Sequence, residues 1–582
     1  MTDPSEYLSS TILDSRRLFG PNLFDRHAGA VLDVACLTET AGRAVDAWPA
    51  EARRLTAALG WTDTRCDTRR SREGASVFVS APLDGLMTAT DLTEHAWVAA
   101  EARASGEQPV DATPVLREKY ARERQALPRL VAIAQYAHER GLSFSLDDDG
   151  CSVGSGVGVC AVSHAEVPLD DSMEFDDGWD EARDVPIALV TGSNGKTTTT
   201  RLVAAMWRAS GRVTGWCCSD GVWVDDVQVE AGDFTGPSGA RLVTCNRRVE
   251  AAVLETARGG MLRRGLALNL ANGALITNIS ADHFGEYGVE TLADLGVAKA
   301  IVARALRAGA ALVLNADDPT LVQLATTLDV PIAWFSPTDR EVTLDPMAHA
   351  AAVREGHLWL RQRDVWHDLG EVDRMPITLG GKARHNIANA CGAALLASVV
   401  GVPITGIRDA LATFGASPED NPGRLMIRTV GGVIVVMDYA HNPDGMASLC
   451  VTAATMPAHR RLLMLGQAGN RDNVQLRALA ATAWRTQQFD RIIIKEMAAM
   501  LRGRAPGEVP GILRAGLIDA GAAPDVIGFA NSEYRGVCDA LTWARADDVL
   551  VLGVHVERAR VLALMDRLRS CGWTAGAALP AE

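Results

Sequence analysis

Apolar positions along this chain fall into two kinds of run, and their spacing separates strands from helices. Short runs read as buried strands: IALV at 187–190, AAVL at 251–254, ALIT at 274–277 and ALVL at 311–314, then VIVV at 433–436, LLML at 462–465, RIII at 491–494 and VLVL at 549–552. Longer stretches between them carry apolar residues three and four apart, as Leu202, Val203, Met206 and Trp207 do after the first run, and that period is helical. Strands alternating with helices predict parallel sheets with helices on their faces. Two such sets predict two α/β domains in tandem, breaking near NPGRL at 421–425.

Upstream, residues 1–169 mix short apolar runs with charged helical stretches such as VLREKYARERQALPRLVAIAQYAHER, an α+β pattern without a catalytic constellation. GCSVGSGVGVCAV at 150–162 is glycine-rich, but neither a lysine nor a helix follows it, so it reads as a β-hairpin rather than a phosphate loop. Residues 170–184, DDSMEFDDGWDEARD, hold eight carboxylates and one arginine, which predicts a solvated acidic linker. The expected organisation is an N-terminal domain over 1–169, this linker over 170–184, a central domain over 185–422 and a C-terminal domain over 423–582.

Composition narrows the class. At 582 residues the chain is too long for one core, and 48% hydrophobic with 22% charged residues is globular. No apolar run approaches the roughly 18 residues that span a bilayer, and the first twenty residues lack a basic start and an apolar stretch, so no membrane partner and a cytoplasmic location are expected. The eleven cysteines are scattered without a CxxC pair and read as reduced thiols. A net charge of −15 argues against a nucleic-acid partner.

The chemistry concentrates in TGSNGKTTTTRL, residues 191–202. A glycine-rich turn between strand and helix points backbone N–H groups at an anion. Gly192, Ser193, Asn194 and Gly195 would form the loop, Lys196 would reach the β and γ phosphates, and Thr197, followed by Thr198, would hold Mg²⁺. Val190 stands where the longer P-loop has glycine, so this is the shorter G-x-x-G-K-T form. Polar residues also follow the other predicted strands: Glu255, then Asn278, Asp282 and His283, then Asn315, Asp317 and Asp318. Ligands of open α/β sheets sit beyond these strand ends, although each residue taken singly also suits a turn or cap. Lys299 falls on the same helical face as Leu295, Val302 and Leu306; snorkelling to water and an inward functional role are both open to it.

Residues 186–582 resemble the Mur ligase superfamily, and within it the Mur-like half of the cyanophycin synthetases. The resemblance rests on TGSNGKTTTTRL, GDFTGPSGARLV, VLETARGGMLRRGLA, TNISADHFGEYG, NADDP, HNIANACGAALLA, DYAHNPDGMASL and FDRIIIKE with LRGRAPGE, in that order. It implies a P-loop central domain, a Rossmann-like C-terminal domain, ATP and Mg²⁺, and an enzyme joining a carboxylate to an amine through an acyl phosphate. The implied partners are a small-molecule amino acid and a carboxylate-bearing peptide or amino acid. Thr197, Glu255 and His283 would be metal ligands, Lys196 would neutralise the transferring phosphate, and Lys299 matches a lysine carbamylated in several members. Asn315 and Asn386 match positions near adenine; Arg424 and Asp438 would close over phosphates and ribose; His441 would orient the acyl phosphate; Arg502 and Arg504 would anchor a carboxylate of the incoming amine.

Two features depart from the cyanophycin synthetase pattern. An acidic spacer stands where that family has an ATP-grasp domain, which implies at most one of its two ligations. Met497, Ala498 and Ala499 replace acidic positions before RGR, and GQAGNRDN replaces the usual GDRRDED. An ATP-binding, non-catalytic partner of a synthetase, and an ATPase or phosphotransferase, are the alternatives. The N-terminal part, without a catalytic constellation, is an expected place for self-association as a homo-oligomer or for polymer binding.

Overall fold

The computed structural model describes residues 11–36, 38–72, 74–164, 177–281, 284–338 and 349–580. They fall into two compact units: one comprises residues through Ile279, Phe284–Leu369 and Ala388–Ala410, and the other Gly370–Ile387, the residues from Leu411 onward and those from Ser280.

The first unit begins with an antiparallel sheet in the order Thr11–Leu18, Gly29–Ala35, Gly74–Ser80, Cys66–Arg70. Helices Glu39–Ala58 and Leu86–Ala104 contribute Trp48 and Trp97 to its core, and the Trp48 indole N–H is satisfied by the Thr93 carbonyl at 3.1 Å. The charged stretch after them forms two helices, Thr113–Ala126 and Leu130–Glu139, on either side of Pro128. The glycine-rich segment is the expected hairpin: Gly150–Val153 pairs antiparallel with Cys160–Ser163 and with Phe144–Leu146.

Part of the acidic stretch does not behave as a solvated linker. Residues 170–176 lie outside the described residues, but Trp179 is buried, and its carbonyl accepts a hydrogen bond from the Tyr136 hydroxyl at 2.8 Å. Asp184 accepts from the Ser143 N–H at 2.9 Å and the Ser155 hydroxyl at 3.1 Å, and pairs with Arg307. A tryptophan and a carboxylate with three partners outweigh the composition that suggested solvation. Main-chain bonds from Phe19 to Arg264 and from Leu266 to Pro21 join the first sheet to the rest of the unit.

The central sheet has eleven strands in the order Val227–Ala231, Gly221–Val224, Thr214–Cys218, Ala251–Glu255, Ile187–Thr191, Ala271–Ile276, Leu306–Asn315, Ile332–Ser336, Ala350–Arg354, His357–Gln362, Val365–Glu371. From Thr214–Cys218 to Ala350–Arg354 every pairing is parallel; Gly221–Val224 pairs antiparallel on one side, with Thr214–Cys218 and Val227–Ala231, and His357–Gln362 pairs antiparallel with Ala350–Arg354 on the other. Ile187–Thr191 and Ala251–Glu255 are buried at every position, as strands covered on both faces must be. In the second unit Met426–Val430, Val433–Asp438, Val549–Gly553, Arg461–Leu465, Arg491–Lys495 and Ile527–Ala530 form a six-stranded sheet, antiparallel only at its first pair. All eight apolar runs singled out above lie in these strands, apart from Thr277, the first residue beyond its own. The mixed α/β class with two largely parallel sheets is therefore as expected.

Asp318 shows how tightly a strand end is tied. Its carboxylate caps the helix Pro319–Ala325 through Thr320 and Leu321 and accepts the Ile279 N–H at 2.6 Å. Asp318→Ala removes a cap and strands a buried N–H, so it should lower stability by about 1–3 kcal/mol, read from the urea midpoint; a loss below about 0.5 kcal/mol would show that water replaces these bonds.

Candidate functional site

The loop TGSNGK leaves the centre of the parallel sheet and enters the helix Lys196–Ala209. Gly192 at φ 147° and Gly195 at φ 82° adopt conformations that disfavour a side chain. The neighbours leave no room for one either: a Cβ on Gly192 would lie 1.8 Å from Thr277 Oγ1, and one on Gly195 would lie 2.1 Å from Asn389 Oδ1. Asn278 fixes the loop between them, its carbonyl accepting the Ser193 N–H and its side chain accepting the Asn194 N–H, both at 2.9 Å. The Asn194 carbonyl in turn accepts from the Thr277 hydroxyl at 2.6 Å.

At the helix start, Gly195 is the N-cap and offers the first turn no capping side chain. The positive end of the helix dipole is thereby left for an anion. Lys196 Nζ donates to the Ser193 carbonyl at 3.0 Å, so it folds over the loop. Thr197 and Thr198 are buried, and the Thr197 hydroxyl donates to Glu255 Oε2 at 2.8 Å. Ser219 Oγ stands 3.3 Å from the same hydroxyl. Threonine and serine hydroxyls beside a buried carboxylate make an all-oxygen set, the kind a hard Mg²⁺ takes. His283 and Asp282 lie outside the described residues; among those described, no group of three or more His, Cys, Asp and Glu side chains is placed to hold a metal.

Lys299 points inward. It ends the helix Leu292–Lys299, is 3% exposed, and donates through Nζ to the Gly192 carbonyl at 2.7 Å. Of the two readings open for it, snorkelling is the one the burial removes. Asn315 ends its strand as a turn residue, its side chain accepting the Asp317 N–H at 3.0 Å. Asp317 accepts from Ser336 and Thr338.

The other candidates belong to the second unit. Asn386 is buried, donates to the Ile377 carbonyl at 3.0 Å, and lines with Arg424 a cavity of about 100 Å³. The Arg424 guanidinium lies 4.5 Å from the centre of the Tyr439 ring. Asp438 accepts the N–H groups of Leu425 at 2.6 Å and Ala440 at 2.7 Å; burial pushes its carboxyl above the ordinary value, against the pull of Arg424. His441 stands 5.5 Å from Tyr439, ring to ring, and its carbonyl accepts from Gln467. Arg504 does not present itself to a ligand: its donors go to the Gly469 and Arg471 carbonyls, Asn473 and Glu508. It clamps two loops together, and Arg502 is exposed with a contact to Met500.

Asn389, Thr277 and Ser219 were absent from the residues singled out in the sequence. Asn389 lies three residues beyond Asn386, about one helical turn on, and that spacing was the available signal.

A glycine loop between a central buried strand and a helix, with a threonine–carboxylate pair at its mouth, defines a P-loop α/β protein. Residues 190–397 match the family model of the Mur ligase middle domain and residues 423–553 that of the Mur ligase, glutamate ligase domain; the chain belongs to the Mur ligase family. It is 37% identical over 340 residues to the cyanophycin synthetase of Trichormus variabilis, covering 57% of this chain and 37% of that protein. It is 36% identical over 351 residues to that of a Synechocystis species, covering 59% and 40%. The chain thus spans about two fifths of the length of these relatives. A solved structure of E. coli FolC in complex with ADP aligns at 19% identity with a TM-score of 0.48, over 66% of this chain and 90% of that one. Among the described residues no helix is long and apolar enough to cross a membrane.

Gly195→Ala should destabilise the first unit by about 1–3 kcal/mol, combining backbone strain with the clash at Asn389. Adding Asn389→Ala should restore only the part due to the clash. Complete restoration in chemical denaturation would remove the case for a left-handed loop.

Proposed function

We propose that this chain is an ATP-dependent carboxylate–amine ligase working through an acyl phosphate. The observation that carries the reading is the buried Thr197–Glu255 pair beside Lys196, 58 residues apart in sequence and 2.8 Å apart in space. A carboxylate is a poor electrophile, and ATP overcomes this. A carboxylate oxygen of the acid substrate attacks the γ-phosphorus and ADP leaves; the nitrogen of the amine substrate then attacks the acyl carbon, the C–O bond to phosphate breaks, inorganic phosphate leaves with its electron pair, and the proton of the attacking amine passes to solvent.

Catalysis of this kind is mainly positioning and charge neutralisation. Gly192, Ser193, Asn194, Gly195 and Thr198 cradle the phosphates, and Lys196 neutralises the group in flight. Thr197, Glu255 and His283 would hold Mg²⁺, which supplies charge stabilisation on the phosphoryl oxygens. Lys299 bears on the loop through Gly192. Asn315 and Asn386 serve the adenine side, Arg424 and Asp438 the phosphates and ribose, and His441 the acyl phosphate. The substrates that fit the similarity are an amino acid and an aspartyl-type carboxylate, in metabolism related to cyanophycin. The central domain over 185–422 carries the nucleotide and the C-terminal domain over 423–582 the amine.

Phosphate release from Mg²⁺ and ATP, measured over a matrix of amino acids and aspartate-containing peptides, should require one acid and one amine together and yield a condensed product by mass. Lys196→Ala should lower the rate at least about 100-fold. Nucleotide binding with no two-substrate release would turn the reading to a non-catalytic partner; release indifferent to both substrates would turn it to an ATPase.

A further inference from the structure

The second unit holds a buried ionic cluster that the ligase reading does not use. Lys495, the last residue of its strand, and Glu533 have no exposed side-chain surface, and the His555 side chain is 4% exposed. Lys495 crosses the end of the neighbouring strand to reach the next one, and Gly466 makes room: a Cβ there would lie 2.5 Å from Lys495 Cγ. Its Nζ meets three acceptors, the Glu533 carboxylate, the Gly553 carbonyl at 2.7 Å and His555 Nδ1 at 2.8 Å.

An ammonium has three protons and no lone pair, so these acceptors use it completely. His555 Nδ1 must then accept, and the proton of the neutral ring sits on Nε2. Glu533 is held from the other side by the N–H groups of His555 and Glu557 at 2.7 Å and of Val556 at 3.1 Å. The His555 ring meets Tyr439 edge-on, 4.9 Å between centroids at 70°, and the Arg424 guanidinium lies 4.5 Å from the Tyr439 ring centre. His555 Nε2 is buried and makes no hydrogen bond of normal geometry, though the Ala440 carbonyl is close enough to favour a proton on the ring.

We propose that Lys495 and His555 are a positioning pair that holds Tyr439 and, through its ring, the Arg424 guanidinium, the residue the ligase reading gives to the nucleotide; the proposal rests on that reading. A buried ion pair is a weak stabiliser beside an apolar replacement of the same volume. What Lys495 does that a methionine could not is fix one tautomer and one orientation of the imidazole, as outer partners do for metal-binding histidines.

The pair also carries its own pH signature. Burial brings the Lys495 ammonium down to about 8, against the pull of Glu533 and Glu557. His555 is pushed well below its ordinary value by burial, then by Lys495, His441 and Arg424. Above about pH 8 Lys495 loses a proton, one acceptor is left unfilled, and the imidazole is no longer locked. Stability moves the other way. The unfolded chain, with lysine near 10.5, binds more protons than the folded one between about 8 and 10.5, so this group favours the fold as pH rises through that window. Nucleotide binding is therefore expected to weaken above about pH 8 without unfolding.

The test is a double-mutant cycle on the full chain, reading Mg²⁺·AMP-PNP affinity by calorimetry alongside thermal unfolding. His555→Phe keeps a ring against Tyr439 and leaves the Lys495–Glu533 pair intact. The wild type should lose affinity above about pH 8; His555→Phe should weaken binding about 5- to 10-fold, have no further effect in Arg424→Ala, and abolish that pH dependence. His555→Gln, which retains an acceptor and a donor, should recover part of the loss. In the wild type, ¹⁵N spectra should show His555 neutral with Nε2 protonated from pH 6 to 7.5. Additive losses with Arg424→Ala, a titrating or Nδ1-protonated His555, or an affinity loss that follows the melting temperature would each overturn the pair while leaving the ligase reading standing. Absence of AMP-PNP binding by the wild type would overturn the ligase reading and the pair's purpose with it.

Discussion

Two glycines pressed between a strand end and a long helix set the geometry of the first unit. Gly192 stands against Thr277 and Gly195 against Asn389, each closer than any side chain permits. Because the backbone runs so near its neighbours, Asn278 can take two of its N–H groups and Lys299 can reach the Gly192 carbonyl. Residues 107 positions apart in sequence meet there. Thr197 follows from the same constraint, because the loop delivers the first helical turn to the end of the adjacent strand where Glu255 stands.

The local part of this arrangement was legible in the sequence. Glycine at the turn, lysine and threonine after it, and a carboxylate at another strand end follow from what parallel sheets and helix N-termini do. Lys299 was ambiguous because a helical face shows that a lysine shares a side with leucines but not what it meets there. Asn389, Thr277 and Ser219 escaped because their roles come from contacts across the fold. Arg504 resembled an anion anchor and is instead consumed by carbonyls of a loop more than thirty residues away. Trp179 was overruled by the acidic residues around it, since composition averages over a stretch and a single buried indole does not.

Buried cations divide into different physical types. Arg201 lies about 5 Å from the stacked rings of Trp216 and Trp223 and pairs with Asp220; its planar, weakly hydrated group suits aromatic faces. Lys299 presents a point charge to a loop carbonyl, and Lys495 divides one among three acceptors. Where the acceptor is a fixed backbone carbonyl, the lysine holds a loop. Where one of its acceptors is an imidazole, the lysine also decides which ring nitrogen keeps its proton.

The two sheets therefore organise their carboxyl edges by different means. In the first, the ordering groups are backbone amides, which need glycines to come close and leave a short local signature in the chain. In the second, Asp438 and Lys495 end two strands and Gln467 and His555 follow two others; the ordering groups are side chains, Asp438 accepting backbone N–H groups, Gln467 donating to a carbonyl and Lys495 donating to His555. A backbone cradle keeps its donors at any pH, because amides do not titrate. A side-chain network keeps its donors only while each member holds its protonation state. On this ground pH sensitivity in the second unit belongs to its buried titratable side chains, the network around Lys495 and the Asp438 carboxyl that burial raises, whereas the backbone amides of the glycine loop in the first unit do not titrate.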